Sequence, residues 1–508
     1  MIDAPTLWRL VEARAAATPE ALFAIDERDQ RLSFEGLREA AERVAAGLHA
    51  RGIREGDGVG WLLPTGLPAF VLMVALARLG AIQNPLVPIY RRREIEFCLD
   101  QTDARWLLVP GTFRGFDFAA LASELERARP GLTTIDIAGA LPTADPAGLS
   151  PASDTPEALR WIFYTSGTTS DPKGAQHSDA SVLLSSRGLA EALDLGPTAR
   201  TGVVFPVTHL GGANALASTL FAGSTQLVVE AFDPATTIPF LADHGVTHAG
   251  AGPVFYQAYL EAQRAAGPTP LFPELIALYG GGAPTPPPLH EAVRRELGGL
   301  GILSTYGMTE CPVITMARFD DPPEKRATTE GRPTHPATRI RILDPSGHAL
   351  LLGQEGEIHI HAPQLLQGFV DPRLDAEAFD TEGFFATGDR GRLDAEGYLT
   401  ITGRTKDVII RKGENISAAE VEGLLMAHAR VAEVAVIGLP DETSGERACA
   451  VVRVEPGAAP LGFDEMVEHL EALGLMRQKI PEQLEHLDEM PRNPSGKIPK
   501  APLVARFA

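Results

Sequence analysis

The sequence predicts an α/β fold: a large N-terminal body of mostly parallel sheets with helices plus a small antiparallel section, and a small α+β C-terminal lobe. Three observations carry that expectation. Between Trp161 and Tyr306, apolar β-like runs alternate with helical patterns, as strands and their covering helices do in parallel sheets. Beyond about residue 335 the texture turns to short alternating runs separated by turn residues, which fits antiparallel strands. From Arg404 onward a hairpin, a helix and two strands follow one another closely enough to make a compact separate unit.

The elements follow in chain order. The apolar run at 67–77 is broken by Arg78 and is too short to span a bilayer, so it reads as a buried helix, and no transmembrane segment is expected. Residues 142–151 read as a linker. A strand at 161–164 leads into a hydroxyl- and glycine-rich loop, and His177 with Ser178 is expected to start a helix whose apolar face is Val182, Leu183, Leu189 and Leu193. The alternation continues through 202–205, 226–229, 253–264, 275–278 and 289–297. Strands at 339–342 and 357–360 follow, then a hairpin at 406–413, a helix at 418–428, and strands at 431–437 and 448–454. Loops at the carboxyl ends of parallel strands are where ligands bind. Three of them, at 164–174, 280–284 and 304–310, are therefore expected to converge on one site.

The loop 164–174 reads YTSGTTSDPKG. Glycine lets backbone N–H groups approach an anion, Ser and Thr add short donors, and Lys173 adds positive charge, the makings of a triphosphate cradle. It is not a Walker A loop, because Lys173 stands between Pro172 and Gly174 and no Ser or Thr follows it. Composition narrows the partners. With 508 residues and a net charge of −21, from 66 acidic and 45 basic side chains, attraction to nucleic acid or an anionic membrane is not expected. Cys98, Cys311 and Cys449 are far apart without metal-ligand spacing, which argues for a reducing compartment and against a disulfide framework or zinc. The N-terminus carries early charge and no long apolar core, so a cytoplasmic protein without a signal peptide is expected. Sequence leaves the oligomeric state open, a homodimer included.

The loop 164–174, YGMTE at 306–310, TGD at 387–389, GRTKD at 403–407 and PSGK at 494–497 occur in the order and approximate spacing of one family. The chain resembles the adenylate-forming superfamily of acyl-CoA synthetases, peptide-synthetase adenylation domains and luciferases, and is most like acid:CoA ligases for medium-chain, alicyclic or aromatic acids. The likeness runs from LSFE at 32–35 to Lys497. It implies that a small-molecule carboxylic acid attacks the α-phosphorus of ATP to give an acyl-adenylate, and that coenzyme A then takes the acyl group. It also implies a mobile C-terminal lobe, with residues 1–403 as the body, 404–407 as a hinge centred on Lys406, and 408–508 as the lobe.

The resemblance also implies roles for particular residues. Lys497 would stand near the acyl oxygen and α-phosphate, while Thr165, Ser166, Gly167, Thr168, Thr169 and Lys173 would hold the β- and γ-phosphates. Glu310 would hold Mg2+. Tyr306 would flank the adenine, lined by Gly282, Ala283 and Pro284; Thr305, Gly307 and Met308 would complete the ATP site, and Thr309 would reach the α-phosphate. Asp389, acceptor-only when ionised, and Arg404 would take the ribose hydroxyls. The catalytic set is Lys497, Glu310, Thr169 and His209. The acyl pocket would be lined by His209, Gly212, Ala251, Gly252, Val254, Phe255, Gly280, Gly281, Met308, Pro312 and Ile314. Arg411, Lys412 and Gly413, with Arg477 and Lys479 behind them, would meet coenzyme A. Ser170 and Asp171 depart from the usual pattern, and the added negative charge is expected to weaken ATP binding. No Asp near 209–214 stands ready to pair an α-amino group, which counts against amino-acid substrates. Two alternatives stay open: an adenylation enzyme loading a carrier-protein pantetheine, which shares every motif, and a non-catalytic nucleotide-binding scaffold, against which the intact Lys497, Glu310, Asp389 and Thr169 argue.

Overall fold

The computed structural model describes residues 1–165, 172–282, 285–411, 414–441, 445–493 and 496–508. The fold class matches the expectation. A nine-stranded sheet runs in the order Arg332–Pro333, Thr315–Met316, Ile302–Tyr306, Ala277–Gly281, His248–Ala249, Arg200–Val203, Thr225–Val228, Leu22–Asp26, Arg31–Ser33. Its inner pairs are parallel, and antiparallel pairs close both edges. A seven-stranded sheet runs Gly368–Phe369, Lys173–Ser178, Leu159–Thr165, Ile82–Pro85, Gly58–Trp61, Trp106–Val109, Thr133–Asp136.

Between the two sheets lie helices whose apolar side chains form one large core with strand residues from both, such as Phe23 and Val203 on one side and Trp61 and Trp161 on the other. The helix Leu67–Leu79 fills this layer. Ala69 through Leu76 are all at most 8% exposed, so a helix apolar on every side is what the site demands. The run at 67–77 thus resolves as a core helix, and no described helix is long and apolar enough to cross a membrane.

One local expectation changes. Residues 173–178 are a strand, paired antiparallel with Leu159–Thr165 in the register Lys173↔Thr165 and His177↔Trp161. The phosphate-type loop therefore joins the two arms of a hairpin. His177 and Ser178 are themselves strand residues, paired with Trp161 and Leu159, so the helix does not start at His177. The helix begins one residue after Ser178, at Asp179–Ala192, with the Ser178 hydroxyl accepting the Ser181 N–H. Similarly, Gly280, Gly281 and Ser304 to Tyr306 lie within strands and not in the loops after them.

The antiparallel section is a four-stranded sheet, Arg339–Leu343, Gly356–His361, Phe385–Leu393, Leu399–Arg404. Downstream, Val408–Arg411, Glu414–Ser417, Val431–Asp441, Gly445–Val454 and Gln483–His486 form a separate five-stranded sheet with its own core of Val421, Leu425, Val436, Ala450, Met466 and Leu470. Gln257 of the body donates to the Ala432 carbonyl of this lobe at 3.2 Å.

Candidate active site

The carboxyl ends of Ala277–Gly281 and Ile302–Tyr306 are adjacent, with Gly280 paired to Ser304 and Gly281 to Thr305. Glycine is required here by close approach. A Cβ on Gly281 would stand 2.1 Å from the Thr305 carbonyl oxygen, and one on Gly280 2.4 Å from that of Ala251 and 2.7 Å from the Tyr256 hydroxyl. Gly282 has φ +83°, and a Cβ there would come within 3.2 Å of Lys497 Cε. Lys497 of the lobe therefore lies against the body's glycine turn.

Around Lys497 stand charged groups from the body. Water reaches the side chain from the open side of the crevice, but protein walls most of it, and this burial, followed by the Arg404 guanidinium, holds the ammonium below the ordinary lysine range; Asp389 and Glu310 act in the opposite sense. His209, at the N-terminus of the helix Leu210–Ala222, is brought down to about 4, first by burial and then by Lys497, so its imidazole is neutral at physiological pH. Its Nε2 is buried and has no hydrogen-bond partner among the described residues.

Glu310 lies in the tight turn after Tyr306, where Met308 and Cys311 exchange N–H to carbonyl bonds of 3.0 and 3.1 Å. Burial raises its carboxyl above the usual range, and Lys173 and Arg404 offset part of that. Asp389 sits on the strand Phe385–Leu393 opposite Arg404, its direct cross-strand partner. One carboxylate oxygen meets Arg404 Nε at 2.9 Å and the other accepts the Tyr306 hydroxyl at 2.8 Å. Burial, and next the Asp389 charge, push the Tyr306 phenol well above its ordinary value. The Asp389 N–H in turn donates to the Thr387 hydroxyl, which donates to the Ile358 carbonyl.

These contacts bring Lys497, His209, Gly282, Tyr306, Glu310, Asp389 and Arg404 to one crevice, with Lys173 acting on Glu310 and Thr165 paired to Lys173. Other expected site residues have structural partners. Gly212 packs against the Val207 backbone, Gly307 against the Val313 N–H, and the Thr305 hydroxyl donates to the Thr315 carbonyl. Ile314 is fully buried in a cluster with Tyr306, Cys311, Ile342 and Ile360, against which Met308 packs. Phe255 stacks edge-on to Phe232, and Val254 is 39% exposed. Within the lobe, Arg411 is bound to Glu482 and the Gln478 carbonyl, Lys479 to Glu420, and Arg477 is 88% exposed. Ser166, Gly167, Thr168, Thr169, Ser170, Asp171, Ala283, Pro284, Lys412 and Gly413, and the Lys406 side chain, lie outside the described residues.

Two residues of this region carry no sequence motif. His177 is fully buried and bonds the Thr309 carbonyl. Nothing in its local string, KGAQHS, points to this contact. Glu330, whose carboxyl makes no hydrogen bond or ion pair among the described residues, is pushed up to about 7 by burial. In the unfolded chain it titrates near 4.5. Between those values the unfolded state has lost its proton and the folded state retains it, so this group's contribution to stability is present at low pH and is lost as pH rises through about 7. Glu330→Gln is therefore expected to raise Tm by a few degrees at pH 8, with the gain shrinking toward pH 5. A pH series of thermal melts checks this, and a parallel offset at every pH would contradict it.

A family model for the AMP-binding enzyme matches residues 11–370, and one for the AMP-binding enzyme C-terminal domain matches residues 420–497. The chain is 30% identical to the medium-chain fatty-acid–CoA ligase of Escherichia coli K12, covering 96% of this chain and 88% of that protein. It is also 30% identical to the vibriobactin-specific 2,3-dihydroxybenzoate-AMP ligase of Vibrio cholerae, over 99% of this chain and 94% of the relative. Among solved structures, ATP-bound MatB from Rhodopseudomonas palustris superposes with a TM-score of 0.88 at 27% identity, covering 99% of both chains.

Proposed function

The chain belongs to the AMP-binding enzyme family, and from that premise we propose that it is an ATP- and Mg2+-dependent acid:coenzyme A ligase for an apolar carboxylic acid of medium-chain, alicyclic or aromatic type. The observation that carries this reading is Lys497, a lobe residue lying against Gly282 of the body among Glu310, Asp389 and His209.

In the first half-reaction a carboxylate oxygen attacks the α-phosphorus of ATP. The new O–P bond forms as the bond to the bridging oxygen breaks, and pyrophosphate leaves with the electron pair. Both reactants are anionic, so positioned cations and donors lower the barrier. An ammonium depressed by burial gains from an anion beside it, which suits Lys497 to the point where carboxylate and α-phosphate meet. Asp389 and Arg404 would hold the ribose hydroxyls, Tyr306 and Gly282 would flank the adenine, and Thr309 would donate to the α-phosphate. Lys173, with Thr165 and the loop beyond it, would hold the β- and γ-phosphates. His209, neutral and with Nε2 unpaired, would meet the acid's carboxylate.

Glu310 would hold Mg2+. Its carboxyl is buried without an ion pair among the described residues, and no group of three or more His, Cys, Asp or Glu among them is arranged to hold a metal ion. One carboxylate completed by phosphate oxygens is how Mg2+ is commonly held. Bound there, the cation would neutralise and orient phosphate oxygens.

For the second half-reaction, the lobe 408–508 would turn on the body 1–403 about the hinge 404–407, with Lys406 as pivot, withdrawing Lys497 and presenting residues 408–413. The coenzyme A sulfur, having given up its proton, attacks the acyl carbonyl, and AMP leaves with the electron pair of the broken C–O bond. Arg411 would exchange Glu482 for a coenzyme A phosphate, joined by Lys412, Gly413 and Arg477.

A panel of carboxylic acids assayed for AMP release with free coenzyme A tests this reading: acyl-CoA should form with apolar acids. The second reading, loading of a carrier-protein pantetheine, is kept because the Vibrio cholerae relative is an acid–AMP ligase whose name carries no coenzyme A. Acid-dependent ATP–pyrophosphate exchange without any acyl-CoA would select it.

A further inference from the structure

We propose that His177 is a positioning residue for adenylation, locking the Thr309–Glu310 turn to the strand that carries Lys173. This rests on the adenylation reading above. The geometry is a single ring spanning two elements: Nε2 lies 2.8 Å from the Thr309 carbonyl oxygen and Nδ1 lies 3.1 Å from the Ser181 hydroxyl. The ring is fully buried, with Phe163 at its edge, 6.4 Å between centroids.

The proton assignment follows from what the partners can give. Ser181 has one hydroxyl proton, and its oxygen is also 3.0 Å from the Ser178 carbonyl. If that proton went to Ser178, Nδ1 would have to donate, and a neutral ring would then turn the Nε2 lone pair on the Thr309 carbonyl oxygen. Burial keeps the ring neutral, bringing it down to about 4. The consistent arrangement is therefore Ser181 O–H donating to Nδ1 and Nε2–H donating to Thr309.

The lock acts on the chemistry through direction. The Glu310 carbonyl is taken by the Leu366 N–H at 2.8 Å, and Leu366 precedes the short strand Gly368–Phe369, which pairs with Lys173–Ser178. Among the described residues, both external bonds on the Thr309 and Glu310 carbonyls thus come from one side, that of the Lys173 strand. Together they fix where the Thr309 hydroxyl and the Glu310 carboxyl point relative to Lys173. A slip of the turn separates groups that must act on one triphosphate.

The test compares His177→Leu, which leaves the Thr309 carbonyl without its donor, with His177→Gln, whose amide N–H can restore one. Three quantities are read: Mg·ATP affinity by calorimetry, acid-dependent pyrophosphate exchange, and acyl transfer from preformed adenylate. Leucine should weaken Mg·ATP binding and exchange by about 10- to 100-fold while leaving transfer within about 2-fold, and glutamine should recover most of the loss. Should leucine prevent folding, His177→Asn, with its shorter amide, supplies the same contrast with glutamine. Proportional loss of both half-reactions, no loss, or glutamine no better than the other variant would overturn the proposal. Wild-type protein that binds Mg·ATP but shows no acid-dependent exchange would overturn the adenylation reading itself.

Discussion

Replacing Lys497 with alanine will slow acyl-adenylate formation by about 10²- to 10³-fold, the scale of removing one preorganised charge from a transition state. Transfer of the acyl group from preformed adenylate to the thiol will change little. The asymmetry follows from the pose described: Lys497 lies against Gly282 beside Glu310 and Asp389, where carboxylate and α-phosphate would meet, and the proposed lobe rotation removes it before the thiol arrives. Pyrophosphate exchange reports the first step, and single-turnover transfer from synthetic adenylate reports the second. Equal loss in both would mean that the lysine props up the fold or the hinge and does not act on the α-phosphate.

Asp389→Asn will weaken ATP binding by about 10- to 100-fold, the cost of one or two charge-assisted hydrogen bonds in a buried setting. The carboxylate has both oxygens committed, one to Arg404 and one to the Tyr306 hydroxyl, and each retains a lone pair for a ribose hydroxyl. An amide turns an N–H2 toward one of two donors, so the loss spreads to a protein partner as well as the sugar. A cycle with 2′,3′-dideoxy-ATP separates these parts: removing the hydroxyls should cost the wild type much affinity and the variant little. Additive losses would show that Asp389 acts on Tyr306 and Arg404 alone.

Legibility followed how local each signal was. Glycine, hydroxyl and charge in 164–174, and the short strings around Glu310, Asp389, Arg404 and Lys497, are contiguous, and their order was enough to point to a family. The fold class was legible from the alternation of runs between Trp161 and Tyr306 and from the change of texture beyond residue 335. What escaped depends on distant packing. His177 meets Thr309 across 132 residues, and its string KGAQHS holds no apolar alternation to mark the strand it lies on. Glu330 looks like any acidic residue before a turn, and only the surrounding body makes its carboxyl unusual. Ile314 and Gly212 sit in expected pocket segments, yet their contacts are with Tyr306's cluster and with the Val207 backbone, because strand and helix ends near a site must also pack. That Asp389 and Arg404 are cross-strand partners explains how two separate motifs come to stand at one proposed ribose site, a pairing no single string contains.

The most direct test uses a carboxylic acid that supports exchange, labelled with 18O in both carboxyl oxygens, in one turnover with Mg·ATP and coenzyme A. Attack of the carboxylate on the α-phosphorus leaves one labelled oxygen in the released AMP and none in pyrophosphate. Label found in pyrophosphate or phosphate, or AMP released without label while acyl-CoA forms, would contradict the account.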